Sequence, residues 1–135
     1  MKNVQNGVLK IICVDAELSL ALEIAAKLKA DKGITARMVS FPSQRLFEKR
    51  SLEYKRDTLC RHRGIPAVVI EPFSPNGWER YAEAGFCMTQ FGHSLPGKAA
   101  YKHFGYEAEP LATKVAGYLD QLKADEHLRS EFVEL

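Results

Sequence analysis

Short apolar runs alternating with stretches of helical periodicity set the pattern of the chain. Val8-Leu9-Lys10-Ile11-Ile12-Cys13-Val14 is β-branched and almost continuously apolar, the pattern of a strand buried on both faces. Asp15 follows at a natural N-cap position. Leu18, Ala21, Leu22, Ala25 and Leu28 then recur at three- and four-residue spacing and predict a helix with one apolar stripe, ended by Gly33. Residues 34–40 predict a second strand, and a strand, helix, strand unit of this kind places its strands parallel through a right-handed crossover. Phe41-Pro42 breaks the strand. Residues 43–62 are polar with isolated apolar anchors at Leu46, Phe47, Leu52, Tyr54 and Leu59, which predicts short helical turns.

Pro66-Ala67-Val68-Val69-Ile70 predicts a third buried strand closed by Glu71-Pro72. Pro75-Asn76-Gly77 marks a turn, followed by a brief helix over 78–84 and a weaker strand near Phe86-Cys87-Met88. Pro96 opens a short helix ending at Gly105. Pro110 opens a long one with a core-facing stripe of Leu111, Val115, Tyr118, Leu119 and Leu122. Residues 126–135 are charged with spaced apolar groups at Leu128, Phe132 and Leu135, and read as a loosely docked tail that forms a partial helix or frays. Residues 1–135 thus predict a single α/β domain with no repeat and no linker.

Composition agrees. A chain of 135 residues, 46% hydrophobic and 27% charged, suits one soluble core and excludes a disordered or fibrous chain. The net charge of +2 is too small to argue for nucleic acid. No apolar run approaches the roughly 18 residues that span a bilayer, and residues 1–7 lack the apolar middle of a secretion signal. Cys13, Cys60 and Cys87 are odd in number, scattered and not at metal-ligand spacing, which points to a reducing, intracellular compartment. Val133-Glu134-Leu135 does not match the Ser-Lys-Leu address, so cytoplasm and peroxisome both stay open.

The chemistry-bearing residues form no self-contained active site. The turn Val14-Asp15-Ala16-Glu17 lies where α/β sheets present amides to phosphate, but it has no glycine and Asp15 opposes an anion, which favours a plain cap. Lys49, Arg50, Lys55, Arg56, Arg61 and Arg63 stand against Glu53 and Asp57, and this local excess reads as a solvated face or an inter-domain contact ahead of a phosphate grip. His93-Ser94 has no third group to orient it and no Gly-x-Ser-x-Gly frame, so Ser94 is expected to cap a helix. His62, His103 and His127 are single, without ligand spacing. Trp78 with Tyr81, and Phe91 with Phe104 and Tyr106, anchor a core or an interface, Trp78 joining the candidate contact residues. No catalytic, cofactor-binding or metal-ligating residue is assigned. The strand ends near Asp15, Phe41 and Phe73 form a candidate ligand rim, the basis of an alternative reading as a stand-alone small-ligand-binding or regulatory module.

Glu53-Tyr54-Lys55-Arg56, the strand at Ala67-Val68-Val69-Ile70-Glu71, Gly77-Trp78-Glu79-Arg80-Tyr81-Ala82, Phe91-Gly92-His93-Ser94-Leu95-Pro96 and Phe104-Gly105-Tyr106 come in an order that resembles the C-terminal domain of transketolases. The likeness reaches back to Ala36-Arg37-Met38-Val39-Ser40-Phe41-Pro42 and covers roughly residues 8–124. Within that family, Phe41-Pro42-Ser43-Gln44-Arg45-Leu46-Phe47, Arg61-His62-Arg63 and Gly77-Trp78-Glu79-Arg80-Tyr81 are most similar to the formaldehyde-using dihydroxyacetone synthases. The resemblance implies a three-layer α/β/α sandwich with a mostly parallel, mixed sheet of about five strands. It also implies a dimeric parent that uses thiamine diphosphate and Mg2+ to move a two-carbon ketol unit from a ketose phosphate to an aldehyde. In such a parent the pyrimidine- and pyrophosphate-binding domains hold the cofactor and this domain packs beside them. Val14-Asp15-Ala16-Glu17 departs from the family's Thr-Gly-Ser-Glu-like turn, which argues against a regulatory ligand at that rim. Relatives continue upstream into the pyrimidine domain, so the sequence reads as an excised or separately encoded domain.

Overall fold

The computed structural model describes residues 8–14, 17–60, 63–71, 77–87, 102 and 105–135. Strand β1 (Val8–Cys13) runs into helix α1 (Leu18–Lys32), and β2 (Thr35–Ser40) follows. Two short helices, α2 (Gln44–Glu48) and α3 (Leu52–Leu59), lead to β3 (Ala67–Ile70). A 3-10 turn (Trp78–Arg80) precedes β4 (Ala84–Phe86), and α4 (Ala108–Ala124) is followed by a second 3-10 turn (Glu126–Ser130) and β5 (Val133–Glu134).

The five strands form one sheet in the order β2-β1-β3-β4-β5. All four described pairs are parallel, so the five-stranded sheet is all-parallel rather than the mixed one expected. A parallel sheet needs cover on both faces, and the side-chain alternation supplies it. Leu9, Ile11, Cys13, Val68, Ile70 and Ala84 face α1 and α4, where they meet Ile24, Leu28, Leu111 and Val115. Ile12, Val39, Ala67 and Val69 face the other way, toward Phe47, Leu59, Trp78 and Tyr81. The result is the expected α/β/α sandwich, with one thick helical layer and one thin one.

Several local expectations shift. The cap of α1 falls on Glu17, whose N–H closes a turn onto the Val14 carbonyl at 2.8 Å, so the helix starts later than Asp15 capping requires. Asp15 itself lies outside the described residues. The buried stripe of α1 is Ala21, Ile24 and Leu28, while Leu18 and Leu22 are 39% and 51% exposed. That stripe packs into the core that α1 shares with α4 and one face of the sheet. Gly33 ends α1 as expected: at φ 65° it sits in the left-handed region, and its N–H and that of Ile34 bond the Lys29 and Leu28 carbonyls.

Strand β4 lies at 84–86 rather than at Phe86-Cys87-Met88, because Gly85 must pair beside Val69 with no β-carbon between them. The 78–84 segment shortens to the single 3-10 turn. The tail supplies a strand: the Val133 and Leu135 N–H groups donate to the Glu83 and Gly85 carbonyls, each at 3.0 Å. Of the helix expected over 96–105 only Lys102 and Gly105 are described, the Gly105 N–H donating to the Lys102 carbonyl at 3.1 Å, and the Ser94 cap falls outside the described residues, as do His62, His93, His103, Phe91 and Phe104. Tyr106 is buried, donating to the Glu71 carbonyl at 2.7 Å and packing edge-on to Phe86.

Candidate functional site

The thin layer holds the site. Ser43 and Ser51 cap α2 and α3, their hydroxyl oxygens accepting from the Leu46 and Tyr54 N–H groups at 3.2 Å each. Two helices this short have little stability of their own. They are pinned instead by Phe47 and Leu59, which are buried against the sheet with Phe41, Trp78 and Tyr81. The Phe41 ring is the hub, with centroids 4.6 Å from Phe47, 4.8 Å from Tyr81 and 5.4 Å from Trp78. This aromatic cluster brings the 3-10 turn up against α2.

Above it Glu48 collects three partners. Lys55 Nζ donates to Oε2 at 2.8 Å, the Tyr81 hydroxyl donates to Oε1 at 2.6 Å, and Arg80 Nη2 lies 3.5 Å from Oε1. The Lys55 hydrogen bond first, and that from Tyr81 second, hold the Glu48 carboxyl below the usual carboxylate range. Tyr81 is pushed up to about 12, by burial foremost and then by its bond to Glu48. Beside this cluster opens a groove of about 400 Å³. The buried faces of Phe47, Leu59 and Tyr81 underlie it, and Glu48, Lys55, Arg56 and Arg80 ring it. Three cations around one carboxylate leave the groove positive.

Of the basic residues singled out from the sequence, Lys49, Arg50, Arg56 and Arg63 are exposed, Lys55 is half-buried on Glu48, and Arg61 lies outside the described residues. The Arg50 guanidinium sits 5.5 Å from the centre of the Tyr54 ring. Trp78 is buried, so its ring packs within this chain. Phe41 is buried too, under the aromatic cluster rather than at a rim, and Phe73 lies outside the described residues. Leu46, Leu52 and Tyr54, read from the sequence as anchors, are 60%, 61% and 49% exposed. Together with the cations they make one mixed apolar and basic surface. Glu48 and Arg80 were not legible as partners, because Glu48 meets Lys55 from a different helix and Arg80 from a distant turn, with no helical spacing to signal either.

Among the described residues no three His, Cys, Asp or Glu side chains converge in a group able to hold a metal ion. Among the described residues, too, no helix is long and apolar enough to cross a membrane.

Fold and surface define a three-layer parallel α/β domain with an open cationic groove on its thin layer. Residues 2–107 match the model of the transketolase-like C-terminal domain, and the chain belongs to that family. It is 40% identical over 127 residues to the dihydroxyacetone synthase of Candida boidinii, spanning 94% of this chain and 18% of that protein. The dihydroxyacetone synthase of Pichia angusta is 38% identical over 136 residues, covering 100% of this chain and 19% of its own length. Among solved structures, a mutant transketolase from Pichia stipitis superposes with a TM-score of 0.81 at 30% identity, over 91% of this chain and 18% of that one. The chain therefore spans less than a fifth of the curated relatives it matches.

Proposed function

We propose that this chain is the non-catalytic C-terminal assembly domain of a thiamine-diphosphate-dependent, transketolase-like enzyme. In that enzyme ketol transfer runs from a ketose phosphate to an aldehyde, with formaldehyde as acceptor as in the dihydroxyacetone synthases. The pyrimidine- and pyrophosphate-binding domains are its partners and hold thiamine diphosphate and Mg2+, and the full-length form is a homodimer, in the cytoplasm or the peroxisome. The observation that carries the reading is the thin layer. Leu46, Leu52 and Tyr54 stay exposed beside Lys49, Arg50 and Arg56, a combination suited to contact with another protein surface. The match to less than a fifth of each dihydroxyacetone synthase supports the reading that the rest of such a polypeptide is that surface.

The test is an assay of the purified chain with thiamine diphosphate, Mg2+, xylulose 5-phosphate and either formaldehyde or ribose 5-phosphate. No turnover is expected from the chain alone. Turnover is expected to rise when it is added to the Candida boidinii dihydroxyacetone synthase lacking its own matching region. Turnover by the chain alone overturns the non-catalytic assignment, and a saturable thermal stabilisation by nucleotides would favour a stand-alone ligand module.

A further inference from the structure

We infer that the outer edge of β2 docks a second copy of this chain, the two β2 strands pairing antiparallel about a two-fold axis at Met38 so that their sheets join. This concerns a surface other than the thin layer and stands apart from the assembly reading. Strand β2 ends the sheet on one side. The Phe41 N–H donates inward to the Cys13 carbonyl at 2.8 Å. Backbone polar groups alternate in direction along a strand, so those of Thr35, Arg37 and Val39 also face β1, and those of Ala36, Met38 and Ser40 point outward. Among the described residues these outward groups have no partner. Edge strands are ordinarily blunted by lysine, proline or a bulge. Strand β2 contains neither residue and pairs with β1 at every position. Its one cation, Arg37, is turned onto α3, with Nη1 3.4 Å from the Asp57 carbonyl and 3.5 Å from Cys60 Sγ.

The strand complements itself in one register. With the axis at Met38, Met38 opposes the partner's Met38 and Ala36 opposes the partner's Ser40, so each outward donor meets an outward acceptor. An axis at Arg37 would set two like charges directly opposite, which repel. An axis at Val39 or Ser40 would bring Pro42, which has no N–H, against Ala36 or Met38. The flank of α1 supplies a second observation. This helix packs over β1 and β2, with Ala21, Ile24 and Leu28 buried and Lys27 and Asp31 lining its seam with α4. At about 100° per residue, Leu18 and Leu22 fall on the flank away from α4, on the β2 side, where they are 39% and 51% exposed. A two-fold axis normal to the sheet sets this flank beside its own copy. An unrelated strand would cover the backbone edge and leave the leucines in water, whereas a second copy covers both.

The test is sedimentation of the full chain over a range of concentrations, as the parent chain and as Ser40→Pro, Ser40→Ala and Leu22→Glu. Ser40 is exposed with its N–H outward, so proline removes an edge donor and spares the pairing with β1, while alanine keeps the donor. The parent chain and Ser40→Ala are expected to pass from one chain mass to two as concentration rises. Ser40→Pro and Leu22→Glu are expected to weaken that dimer about tenfold or more. Melting curves establish folding, and Leu22→Glu, at an exposed helix position, serves even if Ser40→Pro does not fold. Mild oxidation reads the register. Hydrogen-bonded antiparallel partners have Cα atoms about 5.5 Å apart, within disulfide reach. Met38→Cys is therefore expected to crosslink as a dimer, and Thr35→Cys, exposed but set opposite the partner's Phe41, is not. A parent chain that stays monomeric overturns the inference, as does a dimer that Ser40→Pro weakens no more than Ser40→Ala does, or crosslinking at 35 as ready as at 38. A docking titration against the Candida boidinii dihydroxyacetone synthase lacking its matching region covers the other occupant. Docking weakened by Ser40→Pro in a chain that does not dimerise overturns the inference in favour of a strand from the longer polypeptide.

Discussion

The Tyr81 hydroxyl donates to Glu48 Oε1 at 2.6 Å, tying the Trp78–Arg80 turn to the end of α2 across 33 positions of sequence. Glu48 also accepts from Lys55 on α3, so a single carboxylate joins the three elements of the thin layer. The groove is a consequence of that junction, because it lies where those three elements meet.

Tyr81 and Tyr118 are each expected to ionise near pH 12, against an ordinary value of 10.0, in both cases chiefly because burial disfavours the phenolate. A raised folded-state value means the native fold prefers the protonated phenol. That contribution is fully present below pH 10 and is lost as pH climbs through about 12. Phenolate absorbance titration should show late-ionising tyrosines, one fewer in Tyr81→Phe. Early ionisation of Tyr81 would mean that its hydroxyl is not buried beside Glu48 as described.

Gly85→Ala is expected to destabilise the chain by about 1–3 kcal/mol through overpacking. An added β-carbon would lie 2.6 Å from Val69 Cγ1 and 2.8 Å from Phe132 Cζ. Urea unfolding should show the loss, and Val69→Ala in the same chain should cost less than the two single changes summed. Strict additivity would place the clash elsewhere.

Leu111→Ala, deleting a fully buried side chain of α4, is expected to cost about 2–5 kcal/mol. Leu52→Ala, at a position 61% exposed, should change stability by no more than about 0.5 kcal/mol and instead weaken docking to the truncated dihydroxyacetone synthase. Chemical denaturation read beside the docking titration separates the two kinds of leucine.

Cys87 is pushed up to about 12 by burial first and then by the charges of Glu71 and Glu134, while Cys13 and Cys60 are buried. Little thiolate is therefore present at Cys87 near pH 8. A disulfide-exchange reagent should react slowly with the native chain and rapidly with all three thiols in denaturant. Prompt reaction of a native thiol at the rate of a free peptide would contradict this burial.

The nearly continuous apolar runs at 8–14 and 66–70 announced β1 and β3, strands buried on both faces, while residues 34–40 announced β2 at the sheet edge, where Thr35, Arg37 and Ser40 are exposed. Gly33 and the stripe of α4 were legible for equally local reasons. Strand β5 was not: Val133 and Glu134 are too few to show a period, and their pairing depends on β4 being there to receive them. The site was half legible. The basic excess over 49–63 could be read from charge alone, whereas the outward turn of Leu46, Leu52 and Tyr54 is decided by which side of α2 and α3 Phe47 and Leu59 pin down.

The two helical layers differ in how they are built. Helices α1 and α4 share a long seam with each other and with one face of the sheet, while α2 and α3 are held by a handful of aromatic and aliphatic pegs and the Glu48 junction. Their amide protons should accordingly exchange with deuterium through small local openings that leave the sheet intact. Natural variation can then rewrite the outward residues of these two short helices while the scaffold beneath keeps its shape.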